Sequence, residues 1–449
     1  MMISTLAPYA LGALAALTPP SPVPGKAGDL LAIRVGKAES IAHGTLEHAV
    51  ILVENGRIVT IGEDLPIERG IPVLDLSDWV AMPGLVNCHS RIGLDRSTGS
   101  NNEPHLTPRT EVYPRSETWR ELLELGVTTI GLVPAGSSGI PGQALVVRPH
   151  GETVDEMVVA DKAYLKIHLQ ANSTSKKALR DAFEKVDKHN EKVEKAREKW
   201  EKDQEKKKKS SRRSRSKKDD DEKEKDEKEK DEKEEEGKKG EDKKEDEDKK
   251  DEASGPFEPP VPDPKIVPFI ELREGRLTAM MSIKKAAGFL HLLDALGDEE
   301  INWFLQNSLR DDIDTYEVAE RIGERELLVV TNPRITLQVH SRRERNIPAE
   351  LARAGAKIAF IPLRDTLDSH REWMSDVGFL VSRGLPRDAA LAAVTHEAAR
   401  ALGLDEELGS LDEGKQANIV FWDGDPLEPA SRIQAVMLEG RFVVGEVER

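Results

Sequence analysis

From about residue 176 to 252 the chain is charged almost without interruption, as in EKDQEKKKKSSRRSRSKKDDDEKEKDEKEK, and it leaves this stretch through the Pro-rich SGPFEPPVPDPK. Such a mixed-sign segment cannot bury enough apolar surface to offset the entropy of ordering it, so any core must be assembled from the residues on either side. Its first part differs. Leu179, Ala182, Val186, Val193, Ala196 and Trp200 recur at helical spacing, which predicts one long helix with a packed face as far as about Trp200. After Glu201 the stripe ends, and a disordered polyampholyte is expected, with only short helical stretches supported by Glu–Lys pairs. The remaining chain can supply a large core, because 38% of the 449 residues are hydrophobic.

A net charge of −17 argues against a general nucleic-acid binder, which needs a clustered positive surface. The basic SSRRSRSKK block at 210–218 is followed directly by acidic blocks and reads as a self-neutralising linker. The single cysteine, Cys88, excludes an intramolecular disulfide framework, and it reads as a small buried hydrophobe rather than a nucleophile. At the N-terminus an apolar run from about Leu6 to Leu17 has the length of a signal-peptide core and is too short to span a bilayer, though no Lys or Arg precedes it. The expectation is export to the periplasm or cell envelope; the alternative is a cytoplasmic protein with an unstructured extension. No later segment is apolar for long enough to be a transmembrane helix.

From Leu30 short strand-like runs follow one another: LAIRVG, AVILVENGRIVTIGED and IPVLDL. Asn55-Gly56 between two such runs is a strong hairpin signal. The same texture returns in ANIVFWDGDP and AVMLEGRFVVGEV, with a second turn at Glu439-Gly440, so the two chain ends are expected to meet in one small β domain. Between them helix and strand alternate. SETWRELLELG, with Ser116 as a possible cap and Gly126 as terminator, leads into VTTIGLV; AELARAGAKIAFIPL runs from helix to strand; PRDAALAAVTHEAARALGL reads as one long helix ending at Gly403. Repeated alternation implies a parallel sheet, and at this length a (β/α)8 barrel is favoured over an open one. The expected organisation is a leader at 1–25, β-sandwich at 26–80, barrel at 81–175, insertion and linker at 176–265, barrel again at 266–404 and β-sandwich at 405–449.

MPGLVNCHSRIGL, ENGRIVTIG and GSLDEGKQANIVFWDGDPL together resemble the amidohydrolase superfamily, in particular its imidazolonepropionase-like branch. The resemblance implies an α/β fold, a TIM barrel of the metal-dependent-hydrolase type with a composite β-sandwich built from both chain ends. It also implies hydrolysis of C–N bonds other than peptide bonds, in linear or cyclic amides. The implied site is a metal held by a His-x-His pair after the first barrel strand, often a Lys or Glu on the fourth, histidines after the fifth and sixth, and an Asp after the eighth. Alternate residues on a strand point the same way, so His-x-His would offer two imidazoles to one cation.

Several of those positions are altered here. His89 matches the first histidine and is the one matched metal ligand, but Arg91 takes the second place, and a guanidinium offers no lone pair. Met280, Met281 and Ser282 stand in the fifth-strand region; Gln306 and Asn307 stand in the sixth. At the eighth strand Leu363 or Arg364 lies near the expected Asp, with Asp365 the nearest carboxylate and a candidate catalytic residue. In AYLKIHL, Tyr164, Lys166 and His168 share one face, expected to meet a loop or solvent while Leu165, Ile167 and Leu169 face an apolar layer. His340 reads as loop decoration, and His370 has no evident partner.

The sequence thus points to an amidohydrolase-like protein with impaired metal-dependent catalysis. Arg91 would then suit an anionic small-molecule ligand in the old pocket through its planar fork. Two alternatives stay open. One is an active hydrolase with a rebuilt single-metal site, a zinc-like divalent ion on His89 with His168 and Asp365. The other is a non-catalytic binding or scaffold protein, with a protein partner or a homo-oligomer.

Overall fold

The computed structural model describes residues 30–94, 101–225, 256–310, 313–445 and 447. The expected leader at 1–25 lies outside the described residues, as does 226–255 of the charged insertion. Among the described residues, no helix is long and apolar enough to cross a membrane.

The chain opens with β1 (Leu31–Glu39), β2 (Thr45–Glu47), β3 (Ala49–Glu54), β4 (Arg57–Glu63) and β5 (Val73–Pro83). The β3–β4 hairpin turns at Asn55 and Gly56, with φ of 52° and 80°, the left-handed pair that an Asn-Gly turn supplies with least strain. After Gly84 the barrel begins with β6 (Leu85–Ser90), α1 (Glu117–Glu124), β7 (Val127–Leu132), β8 (Gly139–Gln143), β9 (Leu145–Val147), α2 (Val154–Met157), β10 (Val158–Ala160) and β11 (Tyr164–His168). Helix α3 (Ser173–Lys225) follows, then α4 (Val267–Arg273), β12 (Thr278–Ser282), α5 (Ala286–Leu296), β13 (Trp303–Asn307), α6 (Ala319–Gly323), β14 (Leu328–Thr331), the small hairpin β15 (Thr336–Leu337) and β16 (Glu344–Arg345), α7 (Ile347–Arg353) and β17 (Lys357–Phe360). The chain ends with α8 (Leu367–Ser382), α9 (Arg387–Ala393), α10 (His396–Ala401), β18 (Ile419–Trp422), β19 (Ile433–Leu438) and β20 (Arg441–Val444).

β6, β7, the run β8–β9, β11, β12, β13, β14 and β17 are the barrel staves in that order, and β17 returns beside β6. The third stave departs from the all-parallel expectation: β9 pairs antiparallel with β7, and β8 pairs antiparallel with β11. The reason is connection length. Only residues 133–138 join β7 to β8, and a parallel return needs a crossover of about a dozen residues or more, so the chain doubles back as a hairpin. Ala144, between β8 and β9, keeps the ladder continuous by bonding Tyr164 O and Ala163 N at 2.9 Å each.

Strands from both chain ends form one eight-stranded sheet in the order β20-β19-β18-β5-β1-β3-β4, with β2 on the side of β1. β5 makes the join, parallel to β1 and antiparallel to β18. Ile33, Ile51, Ile58, Ile419 and Phe421 pack in its core, which makes it the small composite β-sandwich. The β19–β20 turn again uses a left-handed pair, Glu439 and Gly440, as the sequence leads one to expect. Arg148 at the end of the third stave bonds Glu439 at 2.6 Å, and Arg387 joins buried Glu39 at 2.6 Å to Asp425 at 2.8 Å, so ion pairs tie barrel to sandwich.

Two helix expectations need correction. The 386–404 segment is two helices rather than one, broken between α9 and α10 at Val394-Thr395. The Thr395 hydroxyl donates to Leu391 O at 2.7 Å, and Val394 O accepts from Val86 N at 2.9 Å, so the freed backbone serves the first stave. Helix α3 continues to Lys225, well beyond the apolar stripe, where disorder was expected from Glu201. Its early turns pack: Leu179, Phe183 and Val186 are buried, and Phe183 meets Phe269 edge-on at 5.5 Å. Each such burial contributes about 1.5–3 kcal/mol. Farther along, Trp200 lies 6.0 Å from Phe257 of the returning Pro-rich segment, and pairs such as Arg197–Glu201 and Glu198–Lys202 support the turns that follow. Ser116 occupies the N-cap position of α1 without a side-chain cap bond, while Gly126, at φ 77°, follows its end.

Candidate functional site

The C-terminal ends of the parallel staves share one mouth, and alternation decides which side chains reach it. On the fourth stave Leu165, Ile167 and Leu169 pack outward against the helical layer, so Tyr164, Lys166 and His168 turn into the barrel. This reverses the expectation that the polar face of AYLKIHL meets a loop or solvent: Tyr164 is fully buried and Lys166 is 5% exposed. The alternation itself is correct; both faces of a barrel stave are covered, so polarity does not mark the wet one.

His89 meets this set. Its Nδ1 lies 2.9 Å from Tyr164 Oη, which in turn donates to Cys88 O at 2.9 Å. Since the phenol has one proton and spends it on the carbonyl, His89 carries its own proton on Nδ1 and keeps a lone pair on Nε2. Burial, and secondarily Lys166 and His168, hold His89 well below the usual histidine range. His168 is pushed down to about 4, first by burial and then by Lys166, and its Nε2 lies 3.2 Å from Gly136 O. Both imidazoles are therefore neutral at pH 7. Lys166 Nζ donates to Pro134 O at 3.2 Å, and burial followed by Arg91 lowers it to about 8, against the opposing pull of Asp365. Burial raises Tyr164 well above its ordinary range and Cys88 to about 12, so neither phenolate nor thiolate forms readily.

Arg91 is committed elsewhere. Its Nη1 donates to Val133 O at 2.6 Å, and its Nη2 to Glu111 Oε2 at 2.7 Å, where the carboxylate is almost fully buried. Its fork thus clamps the loop after the first stave to the end of the second. Asp365 sits beside the end of the first stave, accepting from Ser90 Oγ at 2.6 Å and from Arg91 N at 3.2 Å. Asp365, the nearest carboxylate at the eighth strand, thus reaches the end of the first stave, with both of its oxygens engaged.

Ser282 is the cross-strand partner of His168 and of Gln306, and its hydroxyl donates to Gln306 Oε1 at 2.6 Å, while Gln306 Nε2 donates to Ser308 Oγ at 2.8 Å. Met280 packs inside the barrel beneath them. Met281 and Asn307 face the helices, so the site candidates among these residues are Ser282 and Gln306. His340 lies exposed in the β15–β16 turn. His370, which offered no evident partner, has two: its Nε2 faces Asn87 Nδ2 at 2.9 Å and its Nδ1 faces Thr366 O at 2.8 Å. Asn87 also accepts from His89 N at 3.3 Å, so His370 indirectly supports the strand carrying His89.

The model of the amidohydrolase family matches residues 355–443. An amidohydrolase from Thermotoga maritima MSB8 superposes with a TM-score of 0.69 at 20% identity, over 93% of this chain and 100% of that one. The matched segment is amidohydrolase-family sequence, and the chain as a whole has an amidohydrolase-like fold. Imidazolonepropionases from Maricaulis maris and Mesorhizobium japonicum are similar to it, 44% identical over 66 residues and 55% identical over 64. Each match covers 14% of this chain and only 16% of the relative's own length.

An amidohydrolase of the family pattern would hold a metal at this mouth. The donors present do not fit one. Arginine replaces the second imidazole, Ser282 and Gln306 are bonded to each other, and the Lys166 ammonium stands beside His89 with the Arg91 guanidinium near that ammonium. Among the described residues, no three His, Cys, Asp or Glu side chains are grouped to share a metal ion.

Proposed function

We propose that this chain is an amidohydrolase-superfamily protein whose barrel has given up metal-dependent C–N hydrolysis and serves as a binding scaffold for a small ligand at the mouth. The observation that carries this reading is Arg91. It stands where the resemblance calls for a metal-binding imidazole, and its guanidinium is built into the fold through Glu111 and Val133 O. A cation brought to His89 would meet this fixed positive charge and Lys166, with too few lone pairs in return.

The same contacts argue that the change is settled into the architecture. Arg91 clamps the loop after the first stave to the end of the second, Asp365 fastens the eighth stave to the first, and the Ser282–Gln306 bond closes the fifth and sixth, so each altered position has a structural task. The test is turnover. Purified protein, alone and with zinc or manganese added, is expected to leave a panel of linear and cyclic amides unhydrolysed. Chelator-sensitive hydrolysis that disappears in His89→Ala contradicts the reading and supports the rebuilt single-metal alternative.

A further inference from the structure

Lys166 is a buried cation with spare hydrogen-bond donors. Its ammonium has three protons to donate, and among the described residues it finds one acceptor, Pro134 O at 3.2 Å. Of the carboxylates near it, Glu111 is paired with Arg91, while Asp365 accepts from the neutral Ser90 Oγ and Arg91 N and acts on Lys166 by its charge, without a hydrogen bond to it. Around it stand His89 and His168, both neutral, the cation Arg91 and the carboxylate Asp365, with Lys284 beyond His168. A buried cation with unused donors and further cations nearby is costly unless an anion joins it.

We propose that the barrel mouth binds a small oxyanion, a free carboxylate or a phosphate, directly on Lys166. The inference rests on the reading that the mouth is not a metal centre, and it adds the chemical class of the ligand. The direction of approach follows from packing. Tyr164, Met280 and Phe304 fill the barrel on the inner side of Lys166, so an anion would reach it from the outer side, past His168, Ser282 and Gln306. Arg91, whose fork was the candidate for this role from sequence, becomes a positioning residue that keeps positive potential at the mouth while its hydrogen bonds serve the fold.

The experiment is a titration of the full-length protein with sodium formate and, separately, with inorganic phosphate, each at constant ionic strength against chloride. Melting temperature and calorimetry are the readouts, for the wild type, Lys166→Met and Lys166→Gln. Saturable stabilisation of the wild type by either anion is expected, with affinity reduced at least about tenfold in both variants, the loss of a charge-assisted hydrogen bond. Without added anion the folded variants are expected to melt at or above the wild-type temperature, because a buried charge with spare donors has been removed. No saturable response in the wild type, or an equal response in the variants, overturns the proposal. Metal content measured on the same samples separates the two claims: a stoichiometric ion sinks the reading of the mouth as metal-free, whereas a metal-free protein indifferent to both anions sinks this inference alone.

Discussion

Replacing Arg91 with histidine restores the residue type that the family pattern calls for, and the structure predicts damage instead of repair. The guanidinium, 24% exposed, pairs with a Glu111 side chain that is 1% exposed and also satisfies Val133 O. Histidine is too short to keep both contacts, so Arg91→His withdraws the cation from a buried carboxylate. Breaking a buried pair costs about 3–5 kcal/mol, and the partial exposure of the arginine argues for the lower end, about 3 kcal/mol. At about 2 °C per kcal/mol for a large domain, the melting temperature should fall by about 6 °C. Thermal unfolding followed by circular dichroism measures this, and Glu111→Gln in the Arg91→His background should recover much of the loss by removing the stranded charge. An unchanged melting temperature in Arg91→His, or a double variant no more stable than the single, would refute the idea that this pair is structural.

Tyr164→Phe removes the hydroxyl between His89 Nδ1 and Cys88 O and should cost about 1–3 kcal/mol in chemical denaturation, as two buried polar groups lose their partner. His370 is held below the usual histidine range, by burial first, so it is neutral when folded and takes up a proton more readily when unfolded. Its contribution is therefore complete above its unfolded value near 6.5 and is lost as pH falls below it; His370→Gln should flatten the fall in stability below about pH 6.5. Phe183→Ala, which empties the contact of α3 with Phe269, should cost about 3–5 kcal/mol by equilibrium unfolding. Deleting 208–250, a run almost without apolar residues, should leave the melting temperature within about 1 °C of wild type, since such a run has little apolar surface to bury.

Patterns that repeat locally were legible in the sequence. The Asn55-Gly56 and Glu439-Gly440 turns, the strand at 127–132 and the stripe from Leu179 all follow from periodicity and turn chemistry, and each has its place in the structure. The reversed third stave was hidden because its cause is the shortness of 133–138, which matters only once its neighbours are known. The break at Val394-Thr395 was hidden for a similar reason: the helical pattern continues across it, and the acceptor it frees belongs to a strand some 300 residues earlier, at Val86.

The site was half legible. That Arg91 cannot ligate a metal is a property of the side chain and needs no coordinates. Its partner Glu111 could not be foreseen, because nothing local marks that glutamate as buried. The inward turn of Tyr164, Lys166 and His168 was misjudged by equating a polar face with solvent, although the fourth stave is where the family resemblance already leads one to look for a lysine. Likewise Asp365 was the nearest carboxylate by position, yet its two acceptor bonds depend on the chain closing the eighth stave onto the first.

Elemental analysis of the purified protein tests the central claim most directly, with expression in zinc- and manganese-supplemented medium and gel filtration before measurement. The account predicts no stoichiometric transition metal, and the same trace content in the wild type and in His89→Ala. One firmly held ion per chain, removed by chelator and absent from His89→Ala, would contradict it.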